Sequence, residues 1–277
     1  MTGFLNIWKE ERDTSAYVVS RVRKLLKTPC GHMGTLDPLA SGVLPVAVGN
    51  ASRLFDFFLD KQKVYLARFR FGVTTDTLDG EGAVRPAGRV PARGEIEAVL
   101  SQFEGEIDQL PPKYSAKNVG GRRSYELARA GKEVELSPKR VRIDRVELLE
   151  ATGPDEFSFR IACGGGTYIR ALARDIAAAL GTEAYMSGLV REQSGPFTKE
   201  NAVRLQELTP ENVANYLIPT DSVLPYPSLN VTDARYFQGV YIPVEREDGL
   251  YKIYAEEGFY GLGRVEGRLL RPEKKLC

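Results

Sequence analysis

Apolar residues recur along this chain with two periods, and the switches between them outline its elements. Tyr65, Ala67, Phe69 and Phe71 fall on one side of a strand, with Val64, Leu66, Arg68 and Arg70 on the other. Phe157, Phe159, Ile161 and Cys163 repeat that alternation ahead of the turn Gly164-Gly165-Gly166. Val18, Val19, Val22, Leu25 and Leu26 follow helical spacing instead, and Arg21, Arg23, Lys24 and Lys27 fill the other face. Asp13-Thr14-Ser15 supplies N-cap oxygens for this helix, and Thr28-Pro29 closes it. Two more helices are expected, over 51–59 on the stripe Leu54, Phe55, Phe58, and from about Tyr168 to Leu180, where Gly181 ends it. Segments 95–103 and 122–130 also carry helical spacing, with a Pro/Gly/Lys-rich loop over 109–120 between them. Val43 to Val48 reads as an apolar strand. The composition shifts near Pro219 to Pro227, and short strands follow over 241–244, 250–255 and 261–265, joined at glycines.

The length of 277 residues accommodates one large domain and one small one, and 43% hydrophobic residues suffice for a real core. No apolar run approaches the roughly 18–20 residues of a membrane span. The first residues, Met1-Thr2-Gly3-Phe4-Leu5, lack the basic and apolar regions of a secretion signal, so a cytoplasmic protein is expected. Cys30, Cys163 and Cys277 are few, odd in number and scattered, which suits a reducing compartment. The formal charge of +1 conceals a segregation: residues 113–145 carry ten Lys/Arg against four Asp/Glu, and residues 74–112 carry three against eight. A local basic segment serves as a phosphate footprint even in a neutral protein, although a charge run is often a plain solvated face.

The candidate chemistry concentrates in Gly31-His32-Met33-Gly34-Thr35-Leu36-Asp37-Pro38-Leu39-Ala40-Ser41-Gly42, which holds the chain's one histidine. Pro38 forces extended geometry on Asp37, so a carboxylate stands stiffly on a loop rich in small residues. With no second acid in that segment, it fits a nucleophile better than a paired acid/base hydrolase. An isolated Asp-Pro is more often a turn aspartate bonding its own backbone. Cys30, His32 and Cys163 lack metal-ligand spacing, and Gly164-Gly165-Gly166 lacks the rest of a dinucleotide fingerprint, so neither metal nor cofactor is expected.

The block resembles the G-H-x-G-x-L-D-P-x-A-x-G signature of the TruB-type tRNA pseudouridine synthases, which isomerise uridine 55 in the TΨC arm. Lys63-Val64-Tyr65, Thr75-Asp76-Thr77-Leu78-Asp79-Gly80, Pro111-Pro112-Lys113-Tyr114-Ser115-Ala116 and Gly166-Thr167-Tyr168-Ile169-Arg170 resemble further family motifs, in the same order, over roughly residues 1–220. The resemblance implies an α/β (α+β) fold: a mixed central sheet with flanking helices and an RNA-gripping insert at about 100–140. It places the catalytic domain over 1–222 and a short PUA-like β domain over 223–277.

It further implies that Asp37 is the catalytic carboxylate, attacking or stabilising the ribose C1′ or adding to C6 of the base. Arg170 pairs with it; permanently charged, it favours the ionised carboxylate. Tyr65 stacks on the flipped uracil and helps remove the C5 proton, Tyr168 lies at the substrate and the arginine, and Leu189 lines the base pocket. Each of these three also reads as ordinary core packing. His32 enters the RNA stack where the base has left, and Asp79 contacts bases splayed from the loop. Lys9 is a structural partner near the site, in a segment that resembles K-P-x-G-x-T-S but reads Lys9-Glu10-Glu11-Arg12-Asp13-Thr14-Ser15, without the proline and glycine. The expected partner is the T arm of tRNA, bound by a monomer without cofactor or metal. A non-catalytic tRNA-folding chaperone is the rival reading, and it would leave Asp37 and Arg170 dispensable.

Overall fold

The computed structural model describes all residues except 60, 115–117, 120–121, 124–135 and 277. Ten strands form one mixed sheet: β1 Gly3–Lys9, β2 Cys30–His32, β3 Ser41–Val48, β4 Lys63–Phe71, β5 Gly105–Gln109, β6 Lys139–Ala151, β7 Glu156–Cys163, β8 Ala184–Ser194, β9 Phe197–Thr198 and β10 Val203–Arg204. Their order is β10-β1-β3-β8-β4-β7-β6-β5, with β2 beside β3 and β9 beside β8. The pairs β10/β1 and β3/β8 are parallel and the other neighbours antiparallel.

One face of this sheet is covered by α1 Ser15–Leu26, α3 Arg93–Leu100 and α4 Ile169–Ala179; the short α2, Phe55–Leu59, lies toward the other face. Val18 and Val22, Ile96 and Leu100, and Leu172 and Ile176 carry the apolar stripes of the three helices onto Leu44, Ala67, Phe69 and Phe159. Burying each large side chain contributes roughly 1.5–3 kcal/mol. Thr14 caps α1 through its side chain, which accepts from Tyr17 N, and Lys27 ends it in the left-handed conformation.

Residues 228–275 build a second sheet from β11 Ser228–Asn230, β12 Ile242–Pro243, β13 Gly249–Ala255, β14 Gly258–Glu266 and β15 Leu269–Lys275, in the order β11-β13-β14-β15-β12. It has its own core around Tyr236, Ile253 and Leu270. Leu262 and Leu276 reach out of it into a cluster with Phe4, Phe58 and Phe197 on the back of the main sheet. The main-chain carbonyls of Leu276 and Lys275 accept from Asn50 Nδ2 (3.2 Å) and Arg53 Nη1 (2.9 Å).

Three expected elements differ. The 51–59 helix is a 3-10 turn over Gly49–Leu54 followed by α2. The loop expected from 109 is preceded by strand β5, which ends at Gln109. Of the helix expected over 122–130, residues 124–130 lie outside the described residues, and Arg122–Arg123 pair as a short strand with Asn118–Val119. No helix among the described residues is long and apolar enough to cross a membrane.

Candidate active site

The loop between β2 and β3 is braced from three sides. Ser15, buried at the start of α1, donates from Oγ to Leu36 O and accepts from Leu36 N, both at 2.9 Å. Lys9, wholly buried at the end of β1, donates from Nζ to the carbonyls of Asp13 (2.7 Å), Glu10 (2.9 Å) and Pro38 (3.3 Å). Arg191 on β8, 2% exposed, sends Nε to Val43 O (2.7 Å), Nη2 to Gly34 O (3.2 Å) and Nη1 to Thr35 O (3.3 Å). Gly42 runs beside Arg191 with φ 113°, and a Cβ there would lie 2.3 Å from the Arg191 carbonyl oxygen, so this close passage of β3 along β8 requires glycine. The turn over Glu10–Asp13 closes with Asp13 N donating to Glu10 O (3.3 Å), without the proline and glycine of the resembled motif. Arg12 takes φ 74° in it, a conformation that costs a non-glycine residue roughly 1 kcal/mol.

Arg170, in the first turn of α4, spends four donors on the centre of the site. Nε meets Asp37 Oδ2 at 3.1 Å and Nη1 meets Asp79 Oδ2 at 3.0 Å. Nη1 also donates to Thr77 O (3.1 Å) and Nη2 to Tyr114 O (3.0 Å). The Arg170 side chain is 7% exposed and that of Asp79 5%, against 36% for Asp37. A second carboxylate therefore does stand near Asp37, joined to it through one guanidinium. Asp79 is fixed in turn by Thr77 Oγ1, which donates to its Oδ1 (2.6 Å), and by Glu81 N (3.1 Å). Gln109, 1% exposed on β5, clasps the backbone at the head of α4, accepting from Tyr168 N (2.8 Å) and donating to Tyr168 O (3.2 Å).

Tyr65 on β4 stands directly opposite Arg191 on β8 in the antiparallel register, on the same face of the sheet. Burial pushes the Tyr65 phenol up from its ordinary value of 10.0, against the opposing pull of Arg191, so it stays protonated at neutral pH. Leu189 is buried two residues before Arg191, opposite Ala67. Tyr168 is half-buried just before α4. His32, half-buried at the end of β2, lines a surface hollow with Val19, Ser20, Arg23 and Cys30. Asp37, Asp79 and Arg170 are thus in direct contact, Tyr65 joins them through Arg191 and its loop, and Lys9 supports that loop from beneath. Arg191 and Gln109 were not singled out from the sequence; the signal for Arg191 was its place two residues after Leu189 on a buried strand. No group of three His, Cys, Asp or Glu placed to hold a metal occurs among the described residues.

Burial draws the Lys9 ammonium down from 10.5 to about 8, against the opposing pull of Asp13 and Asp37. Between about 8 and 10.5 the unfolded chain holds a proton that the folded chain has released. Stability from this group therefore rises with pH across that window, and its burial penalty is fully present below it. Urea unfolding of wild type and Lys9→Met from pH 7.5 to 10.5 is expected to show a stability difference that moves in favour of the wild type as pH rises; a flat difference would mean an unshifted lysine.

A part-exposed carboxylate held against a buried arginine, with a buried tyrosine on a central strand of the sheet nearby, forms the candidate site. Residues 23–169 match the family model described as TruB family pseudouridylate synthase (N terminal domain), and residues 170–225 that of the tRNA pseudouridylate synthase B C-terminal domain. A tRNA pseudouridine synthase B of Clostridium kluyveri is 42% identical over 95% of both chains, and one of Aquifex aeolicus is 40% identical over the full length of both. Among solved structures, a chain of a Cbf5-Nop10-Gar1 complex superposes with a TM-score of 0.73 at 27% identity, covering 99% of this chain and 85% of that one. The chain belongs to the TruB family and is a tRNA pseudouridine synthase, an isomerase of RNA.

Proposed function

We propose that the target is uridine 55 in the TΨC loop of tRNA and that Asp37 is the catalytic carboxylate. The observation that carries this reading is the asymmetry of the clamp: of the two carboxylates on Arg170, only Asp37 is open to a substrate, at 36% against 5%. The reaction breaks the C1′–N1 bond, turns the uracil and joins C1′ to C5; the C5 proton leaves and N1 gains one. It is redox-neutral and asks for no cofactor. A base inside a folded loop has to be extruded before this chemistry, and contacts in the pocket offset the lost stacking. Asp37 supplies the electron pair for the detached intermediate, and Arg170 holds that carboxylate in one pose. Tyr65 presents a buried ring and a neutral hydroxyl to the uracil, opposite Arg191. Leu189 walls the pocket, Tyr168 flanks Arg170, and His32 fills the gap left in the RNA stack. Lys9 acts as a positioning residue for the loop. The exposed basic face of α1 and the 113–145 segment take phosphates of the T arm, and residues 223–277 serve as a PUA-like RNA-binding module beside the catalytic domain 1–222.

The test uses unmodified tRNA carrying tritium at uridine C5. The expected result is tritium release in proportion to enzyme turnover, mapping to position 55 and lost when that nucleotide is cytidine. Release from another position would overturn the site specificity. Tight binding with no release would favour the folding chaperone.

A further inference from the structure

The turn at Glu10–Asp13 carries a substitution that its own geometry disfavours. Lys9 Nζ reaches the carbonyls of both Glu10 and Asp13, so the turn must wrap around the ammonium, and the wrap sets the third residue at φ 74°. Glycine serves that conformation best, and the resembled motif has glycine at this place; here the residue is Arg12. Its backbone N donates to Pro38 O at 2.8 Å, which ties it to the residue directly after Asp37. Its side chain is exposed, and among the described residues the guanidinium has no ion pair or hydrogen bond, although Glu10, Glu11 and Asp13 flank it. Glu10 is engaged by Arg204, whose guanidinium also lies over the Trp8 ring. Those three acids would repel a polyanion at the mouth of the site, and Arg12 is the turn's one exposed cation. Past Ser15 the positive surface continues along α1 with exposed Arg21 and Lys24.

We propose that Arg12 is an RNA-gripping residue, its guanidinium contacting a backbone phosphate of the tRNA next to the extruded nucleotide. This inference rests on the reading of Asp37 as the catalytic carboxylate. Strain retained at the lip of a site, on a side chain that gives the fold nothing, marks a functional position. An arginine–phosphate contact is charge-assisted and matches the phosphate bidentately. The contact holds substrate and transition state alike, so it acts on KM and leaves kcat alone.

The experiment compares wild type with R12G, R12A and R12K in tritium release, in tRNA binding against salt, and in thermal unfolding. R12G suits the turn and is expected to unfold at the wild-type temperature or above it. Its KM for tRNA rises about five- to tenfold with kcat within about twofold, and the slope of log affinity against log salt falls in magnitude by about one. R12A shows the same KM and slope with lower heat stability, and R12K recovers most of the affinity. Wild-type KM and salt slope in R12G would overturn the proposal, as would a loss confined to kcat, which would assign Arg12 to loop geometry. Absence of tritium release by the wild type would instead strike the catalytic reading, while the salt slopes would still decide whether Arg12 touches RNA.

Discussion

Asp37→Asn is expected to lower kcat for pseudouridine formation by at least about a thousandfold while tRNA affinity stays within a few-fold of wild type. The amide keeps the size of the carboxylate and its acceptor oxygen, so Arg170 Nε, 3.1 Å away, retains a neutral partner. What the amide lacks is the negative charge and the free electron pair that the reacting carbon or ring needs. Affinity for a folded RNA is expected to be spread over phosphates and unstacked bases, so loss of one carboxylate charge should change it little. Single-turnover tritium release and filter binding on the same tRNA read the two quantities separately. A parallel loss of binding would make Asp37 a structural or substrate-gripping residue.

The second large effect is expected from Asp79, whose side chain is 5% exposed and hidden behind Arg170. Asp79→Ala removes one of the two carboxylates from a buried guanidinium and takes the side-chain acceptor from Thr77 Oγ1 and Glu81 N, leaving Thr77 Oγ1 only its longer bond to the Asp79 carbonyl (3.2 Å). Breaking a buried pair of this kind destabilises by about 3–5 kcal/mol. Because Arg170 then has one anchor fewer, Asp37 loses its fixed pose, and displacement by about 1 Å costs on the order of a hundredfold in rate. Asp79→Asn still accepts from Glu81 N, so it should recover part of the stability and little of the rate. Urea unfolding and kcat measured side by side check this; normal kcat in a destabilised Asp79→Ala would confine the residue to holding the fold.

The strands that alternate cleanly were the ones legible in the sequence. In β4 and β7 every second residue enters the core, and the pattern alone placed Tyr65 with the apolar set. β6 escaped because its buried positions run Val141, Ile143, Val146, Leu148: a bulge between Ile143 and Arg145 inserts a residue and shifts the period. β8 has two such irregularities, between Met186 and Gly188 and between Arg191 and Gln193. β1 and β3 are buried on both faces and do not alternate; β3 was legible as the continuous apolar run Val43 to Val48, and β1 was not. The site divides likewise. The family resemblance brought out Asp37 and Arg170, but the pairing of Arg170 with Asp79 joins residues 91 apart, and no local pattern encodes it. Gln109 lay at the edge of a segment whose proline, glycine and lysine content suggests a loop, and Arg191 looks like one more charged residue among Val190 and Glu192 until β3 is laid beside it.

The way Leu262 and Leu276 enter the aromatic cluster of Phe4, Phe58 and Phe197 changes what the shift in composition near Pro219 means. Severing the chain there would not release a passenger. It would peel the lining from three phenyl rings whose centroids lie 5.1 to 5.9 Å apart, and leave the body with an adhesive back. That proline-rich stretch marks a corner in the path of the chain, and the two sheets on either side of it share this aromatic cluster.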